Sequence, residues 1–398
     1  MKTPVFHPSW WVILAGVCAA LHIAKLSPAL PALQQALQIS LVQAGFLLSA
    51  VQMASMTLGL VVGLSADSVG LRRCMLAGLL LLSVAGFWGG FVAHAEILLL
   101  LRVIEGLGFL MTVMPAPALI RRTCLPDQLS GRMGWWGTYM PFGSACALLV
   151  GPVWIAAWGW QVWWWALAGM TTLAAWAVWR CVPTVQAAHD IGGATWANRL
   201  RMTLQHAGPW WVALSFCAYS SQWLAVVGFL PTVYGQMGLP ASAVGVLSAL
   251  VAAANVLGNI GSGKLLQRGW SARSLLHIGF AGMALGALGA FGQWQDLGLS
   301  TQARFVCVVM FSAVGGLIPG TLFSMAVRLA PSESTVSTTV GYVQQWSAFG
   351  QFAGPPCVAW VAAGAGGWQW TWCVTGALCV AGAVLAVCIE QALKKVAA

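Results

Sequence analysis

Five ionisable side chains interrupt long apolar stretches of this chain: His22, Lys25, Arg102, Glu105 and Arg304. A charge held in hydrocarbon costs several kcal/mol unless it is paired or hydrated, so each is a functional candidate by its position alone. His22 precedes Lys25 by one helical turn on the same face, and Arg102 and Glu105, at i and i+3, share another. Glu105 is the single carboxylate at this depth, which makes it the first candidate to carry a proton, with the His22 imidazole second. Lys25 and Arg102 supply the positive charge that an anionic group would seek. Two readings stand side by side: Glu105 neutralises Lys25 or Arg102 to hold two helices together, or the cluster keeps a net positive charge, attracts an anion and exchanges a proton. Importing one negative charge against an inside-negative potential costs about 2.3 kcal/mol per 100 mV, so an anion importer needs at least one accompanying proton. Arg304 sits within about one turn of a stretch end, where a long side chain reaches water. Uncharged polar groups in other stretches, Gln52, Tyr139, Tyr219, Gln222, Asn255, Gln344 and Gln345, could complete a solute site or only bond neighbouring helices.

The elements that must position these residues follow from composition. Of 398 residues 60% are hydrophobic and only 7% charged, a surface that only lipid can solvate. The apolar stretches are too long and too free of alternation for barrel strands, so the fold class is all-α integral membrane protein. The length accommodates twelve transmembrane helices, placed near 10–30, 41–65, 73–92, 96–120, 133–157, 161–181, 209–233, 241–265, 274–293, 302–327, 336–363 and 367–390. With these spans, 15 of the 18 basic residues fall on one side, which the positive-inside rule makes the cytoplasm, with both termini on it. Basic residues that recur at alternate loops argue against a nucleic-acid partner despite the net charge of +10. The first stretch runs past Cys18 and reads as a retained helix rather than a cleaved leader. The eleven cysteines form no CxxC pair, the six histidines are scattered, and there is no HExxH or phosphate loop; no metal, cofactor or enzymatic role is expected.

The halves of the chain resemble each other at an offset of about 200 residues. Pro31 aligns with Pro231, Leu58-Gly59 and Gly70 with Leu257-Gly258 and Gly269, Arg102 and Pro117 with Arg304 and Pro319, and Gly151-Pro152 with Gly354-Pro355. Gln222 falls at the repeat position of His22, and Tyr219 lies one turn before it. The domain reading is a six-helix bundle over 1–181, a polar, basic linker over 182–208, and a second six-helix bundle over 209–398. The 46 glycines fit close helix packing, and the 24 tryptophans, among them Trp154, Trp158, Trp160 and Trp163, fit an interfacial belt.

Between spans two and three the chain reads Gly63-Leu64-Ser65-Ala66-Asp67-Ser68-Val69-Gly70-Leu71-Arg72-Arg73. This resembles the loop signature of the major facilitator superfamily, Gly-x-x-x-Asp-Arg-x-Gly-Arg-Arg, with Ser68 and Leu71 replacing basic residues. Arg102-Val103-Ile104-Glu105-Gly106-Leu107-Gly108 is similar to its Arg-x-x-x-Gly-x-Gly segment, and Gly143, Ala147 and Gly151-Pro152 to a degraded form of its span-five glycine element. Met114-Pro115 to Arg121-Arg122 and Gly228-Phe229-Leu230-Pro231 look like the cyanate and nitroimidazole permease branch, although an arginine expected there in span one is absent. The resemblance implies two pseudo-symmetric six-helix bundles and alternating access, with Asp67, Gly70, Arg72 and Arg73 as a cytoplasmic gate latch. Its expected function is secondary active, proton-coupled movement of a small anionic solute across a bacterial inner membrane by a lipid-embedded monomer; the alternative is proton-antiport efflux of amphipathic compounds. The expected solute site draws on Lys25, Arg102, His22, Tyr219 and Gln222, and proton coupling on Glu105 and His22.

Overall fold

The computed structural model describes residues 7–124, 132, 135–136, 138–184, 196–293, 299–332 and 335–397, without the side chains of 63–69, 196, 337, 396 and 397. The Asp67 side chain therefore lies outside the described residues. Among those residues every regular element is helical: α1 Pro8–Ala24, α2 Leu26–Leu37, α3 Leu41–Ser49, α4 Met53–Val69, α5 Leu71–Gly89, α6 Ala95–Val113, α7 Ala116–Thr123, α8 Tyr139–Cys181, α9 Trp196–Gln205, α10 Ala207–Gln236, α11 Ala241–Gln267, α12 Ala272–Phe291, α13 Thr301–Gly315, α14 Leu317–Arg328, α15 Val336–Gly364 and α16 Thr371–Ala397. Among the described residues, ten stretches are long and apolar enough to cross a membrane. One of them, the 43-residue α8, turns at Gly159 (φ 83°, ψ 163°) and so holds two helices. With α8 divided there and the 29-residue α15 added, the helices are consistent with twelve crossings.

Several crossings are broken, and proline explains where. Pro28 has no N–H to offer the Ala24 carbonyl and Pro31 none for that of Ser27, so the first crossing loosens at Lys25, between α1 and α2. Pro117 and Pro319 act in the same way after α6 and α13, and the chain breaks at the corresponding points, between α6 and α7 and between α13 and α14. The repeat also shows in the backbone, because Gly70 and Gly269 both adopt positive φ, 98° and 87°. A side chain at either would be strained, which is why the α4–α5 and α11–α12 turns each carry glycine.

The chain forms two compact units, the first of Met1–Ile39, Ala50–Ile191 and Tyr234–Ala249, the second of Ser40–Ser49, Gly192–Val233 and Leu250–Ala398. The first packs α1, α5, α7 and the latter part of α8 around buried Val12, Met75, Leu79, Leu119, Ile120 and Val178. In the second, α3 lies along α15, with Phe46 and Phe352 rings 6.4 Å apart. Large apolar side chains face outward, among them Leu173, Trp176, Trp179, Leu257 and Trp360, at 59–70% exposure. No water-soluble fold presents such a band, and lipid is its natural solvent.

Candidate functional site

The loosened turn at Lys25 is the centre of the polar site. Beside it, Arg102 on α6 reaches carbonyls in the last turn of α1: its Nη1 donates to the His22 carbonyl at 2.6 Å and its Nη2 to that of Ile23 at 3.3 Å. The indole of Trp163 donates to the Lys25 carbonyl at 3.2 Å. Backbone that a continuous helix would satisfy internally is thus tied to side chains of two other helices.

Around this break four side chains meet. Glu105 receives Arg102 Nη1 on Oε2 at 2.5 Å and the Lys25 ammonium on Oε1. Lys25 Nζ also lies 3.2 Å from His22 Nδ1 and 4.7 Å above the Trp164 ring. On the other side of the imidazole, Nε2 is 2.9 Å from Thr171 Oγ1, whose own hydrogen goes to the Leu167 carbonyl. This arrangement sets the neutral tautomer: Nε2–H donates to Thr171, and Nδ1 accepts from Lys25. Nδ1 also faces Glu105 Oε1 at 3.3 Å. His22, Lys25 and Arg102 have no exposed surface and Glu105 has 1%, so two cations and one carboxylate are sealed together with a net charge of one. Gly86 on α5 allows this closure, since a Cβ there would press on His22 Cε1.

The structure therefore brings His22, Lys25, Arg102 and Glu105 into one contact network inside the first unit, and leaves Arg304 apart, its Nε bonded to the Leu299 carbonyl of its own segment. Tyr219 and Gln222 lie in the second unit. The Tyr219 hydroxyl accepts from Asn255 Nδ2 at 3.0 Å. Gln222 Nε2 donates to the Ala218 carbonyl, and its Oε1 accepts from Cys379 Sγ at 3.2 Å. Of the latch residues, Gly70 forms the turn, and Arg72 donates to the Trp179 carbonyl in the last turn of α8 and, at 2.6 Å, to Thr184 Oγ1 just beyond it. Arg73 is exposed.

Sequence reasoning missed Thr171, Trp163, Trp164 and Gly86. None carries charge, and tryptophans near a span end read as an interfacial belt. Trp158 does lie outward at 60% exposure, but Trp160, Trp163 and Trp164 are buried, at 5%, 4% and 0%. The one available signal was the run Trp163-Trp164-Trp165, in which neighbours on a helix must point in different directions.

An apolar helical bundle with broken crossings, and with ionic groups sealed at the break in the first of them, is the architecture of a membrane transporter, and the family match bears this out. The sequence profile of the Major Facilitator Superfamily matches residues 12–339 and 213–392, and the chain belongs to that family. Solved transporters share the fold. A bacterial homolog of the human lysosomal transporter Spinster, in an inward-facing and occupied conformation, superposes with a TM-score of 0.82 at 14% identity, over 98% of this chain and 97% of that one. The nucleoside transporter NupG matches at 0.77 and 13% identity over 97% and 99%. A D-xylose-proton symporter matches at 0.75 and 16% identity over 95% and 96%. No curated protein sequence matches the chain significantly.

Proposed function

We propose that this transporter moves a small anionic solute across the inner membrane by proton-coupled alternating access, with the duplicated halves 1–181 and 209–398 as its two bodies and both termini cytoplasmic. The observation that carries the reading is the sealed cluster, in which one carboxylate is held by two cations beside a neutral imidazole. Each Glu105 oxygen is held by a cation, so a proton that settles there removes the charge that Lys25 and Arg102 are paired with and loosens both contacts. A proton added at His22 Nδ1 would instead exchange the Lys25 contact for a bond to Glu105. Either event alters the contact between the loosened first crossing and α6, which links proton occupancy to helix position. The cluster's excess positive charge supports an anion as cargo, and an anion brought in against the membrane potential needs the proton. Tyr219 and Gln222, uncharged and buried, are assigned to the shaping of the solute site from the second unit. The finding that one structural relative is a D-xylose-proton symporter fits proton coupling without specifying the solute.

Flux and current in proteoliposomes, with a panel of carboxylates, small inorganic anions and lipophilic cations and an imposed pH gradient, test this. Anion uptake driven by the gradient is expected, lost in Glu105→Gln and strongly reduced in Lys25→Ala. A gradient-driven signal for lipophilic cations alone would establish amphipathic efflux instead. An anion signal untouched by both substitutions would remove the cluster from the mechanism.

A further inference from the structure

A second charged site lies far along the chain from this cluster. The turn at Gly269 and the first residues of α12 meet the ends of α14 and α16 around an open cavity of about 640 Å³. Arg273, Arg328, Ser271, Ser324, Trp270 and Glu390 are among its walls. Arg273 Nη1 is 3.1 Å from Glu390 Oε2, and Lys394 is 3.4 Å from the other oxygen of that carboxylate, so Glu390 is already shared. Arg328 is different. It is exposed, lines the cavity, and makes no ion pair or hydrogen bond among the described residues.

In the first unit Arg72, two residues after Gly70, is spent on the Trp179 carbonyl and Thr184 within the protein, whereas Arg273 stands four residues after Gly269. In the second unit the Arg273 guanidinium, paired with Glu390, lines a cavity together with that of Arg328, which has no partner among the described residues. Two guanidinium groups and two serine hydroxyls offer forked donors and smaller ones, the donor set that suits the oxygens of a phosphate group. The local balance agrees: two arginines, Arg273 and Arg328, line the cavity against the one carboxylate of Glu390, and Lys394 stands beside that carboxylate. The volume falls in the range of small-molecule sites, about 300–1,000 Å³, and exceeds what an inorganic phosphate fills.

We propose that this cavity binds a phosphate group, carried by the headgroup of an anionic phospholipid or by a soluble phosphate compound. Basic pockets at the ends of membrane helices recognise anionic headgroups, and Trp270, 48% exposed at the cavity wall, gives an apolar neighbour for the glycerol end of a lipid. The assignment is independent of the transported solute.

The test is native mass spectrometry of the full chain, released from detergent after titration with phosphatidylglycerol, with phosphatidylcholine, and with inorganic phosphate in competition. Arg328→Gln is the informative variant, because an exposed, unpaired side chain can be replaced without loss of fold, and an unchanged thermal melt verifies this. Ser324→Ala is the second variant and is expected to weaken binding less. Retention of phosphatidylglycerol over phosphatidylcholine, weakened about tenfold in Arg328→Gln by loss of charge-assisted bonds, identifies a lipid headgroup. Phosphate binding with the same sensitivity to Arg328→Gln, but no preference between the lipids, identifies the soluble source. If neither phosphatidylglycerol nor phosphate binding changes in Arg328→Gln, the proposal is wrong.

Discussion

At matched positions of the repeat, the two units solve the same packing problem with opposite chemistry. In the first, His22 reaches Thr171 on the latter part of α8 and joins Lys25, Arg102 and Glu105. In the second, Gln222 at the His22 position reaches Cys379 on α16, and the neighbouring bonds are those of Tyr219 and Asn255, all uncharged. A neutral network suffices to hold the duplicated scaffold together. Charge in the first unit is therefore not required by the fold, and the desolvation of three ionic groups calls for a function.

Substitutions at matched sites break or sharpen that contrast. The largest effect is expected for Glu105→Gln, which strands two buried cations and should lower stability by about 3–5 kcal/mol. Adding Lys25→Met removes one of them and moves the first unit toward the neutral pattern of the second; thermal unfolding in detergent should recover most of the loss while the pH-driven flux stays absent. If the double variant is no more stable than Glu105→Gln, the units are not interchangeable scaffolds.

Next in size are Gly70→Ala and Gly269→Ala, each placing a side chain at positive φ at a cost of about 1–3 kcal/mol. Here the units are alike, and melting temperatures should fall by similar amounts. A smaller effect is expected for Thr171→Val, which leaves the His22 Nε2–H without its acceptor and should cost about 1–2 kcal/mol. Its counterpart Cys379→Ala removes only a weak thiol donor and should shift the melt less. The smallest belongs to Glu390→Gln, at the exposed Arg273–Glu390 pair, a slight lowering of the melt that diminishes with added salt.

Much of this was legible in the sequence, for definite reasons. Hydropathy locates membrane helices because hydrocarbon tolerates no unsatisfied backbone, and charge at depth stands out because it is rare. His22, Lys25, Arg102 and Glu105 could thus be named before any geometry, and Gly70 and Gly269 aligned by repeat have the same strained backbone. The seal was not legible. That the four groups are closed off by Thr171, Trp163, Trp164 and Gly86 depends on which faces of α5 and α8 turn toward α1, and an all-apolar helix gives no periodicity to show its direction. Nor could the pairing of Gln222 with Cys379 be read, since a cysteine in an apolar run looks like any small packing residue.

The 80 residues that separate Lys25 from Glu105 also bear on how the protein is made. At ribosomal rates of about 5–20 residues per second, the helix carrying His22 and Lys25 emerges roughly 4 to 16 seconds before the carboxylate that will neutralise it. A lysine near the centre of a membrane helix opposes insertion by about 2.5–3.5 kcal/mol. Against that stand the long apolar flanks of the first crossing and whatever shelter the insertion machinery offers meanwhile. The helix carrying His22 and Lys25 thus waits for its counter-charge, and the ionic cluster records the moment at which the helix bearing Arg102 and Glu105 arrives.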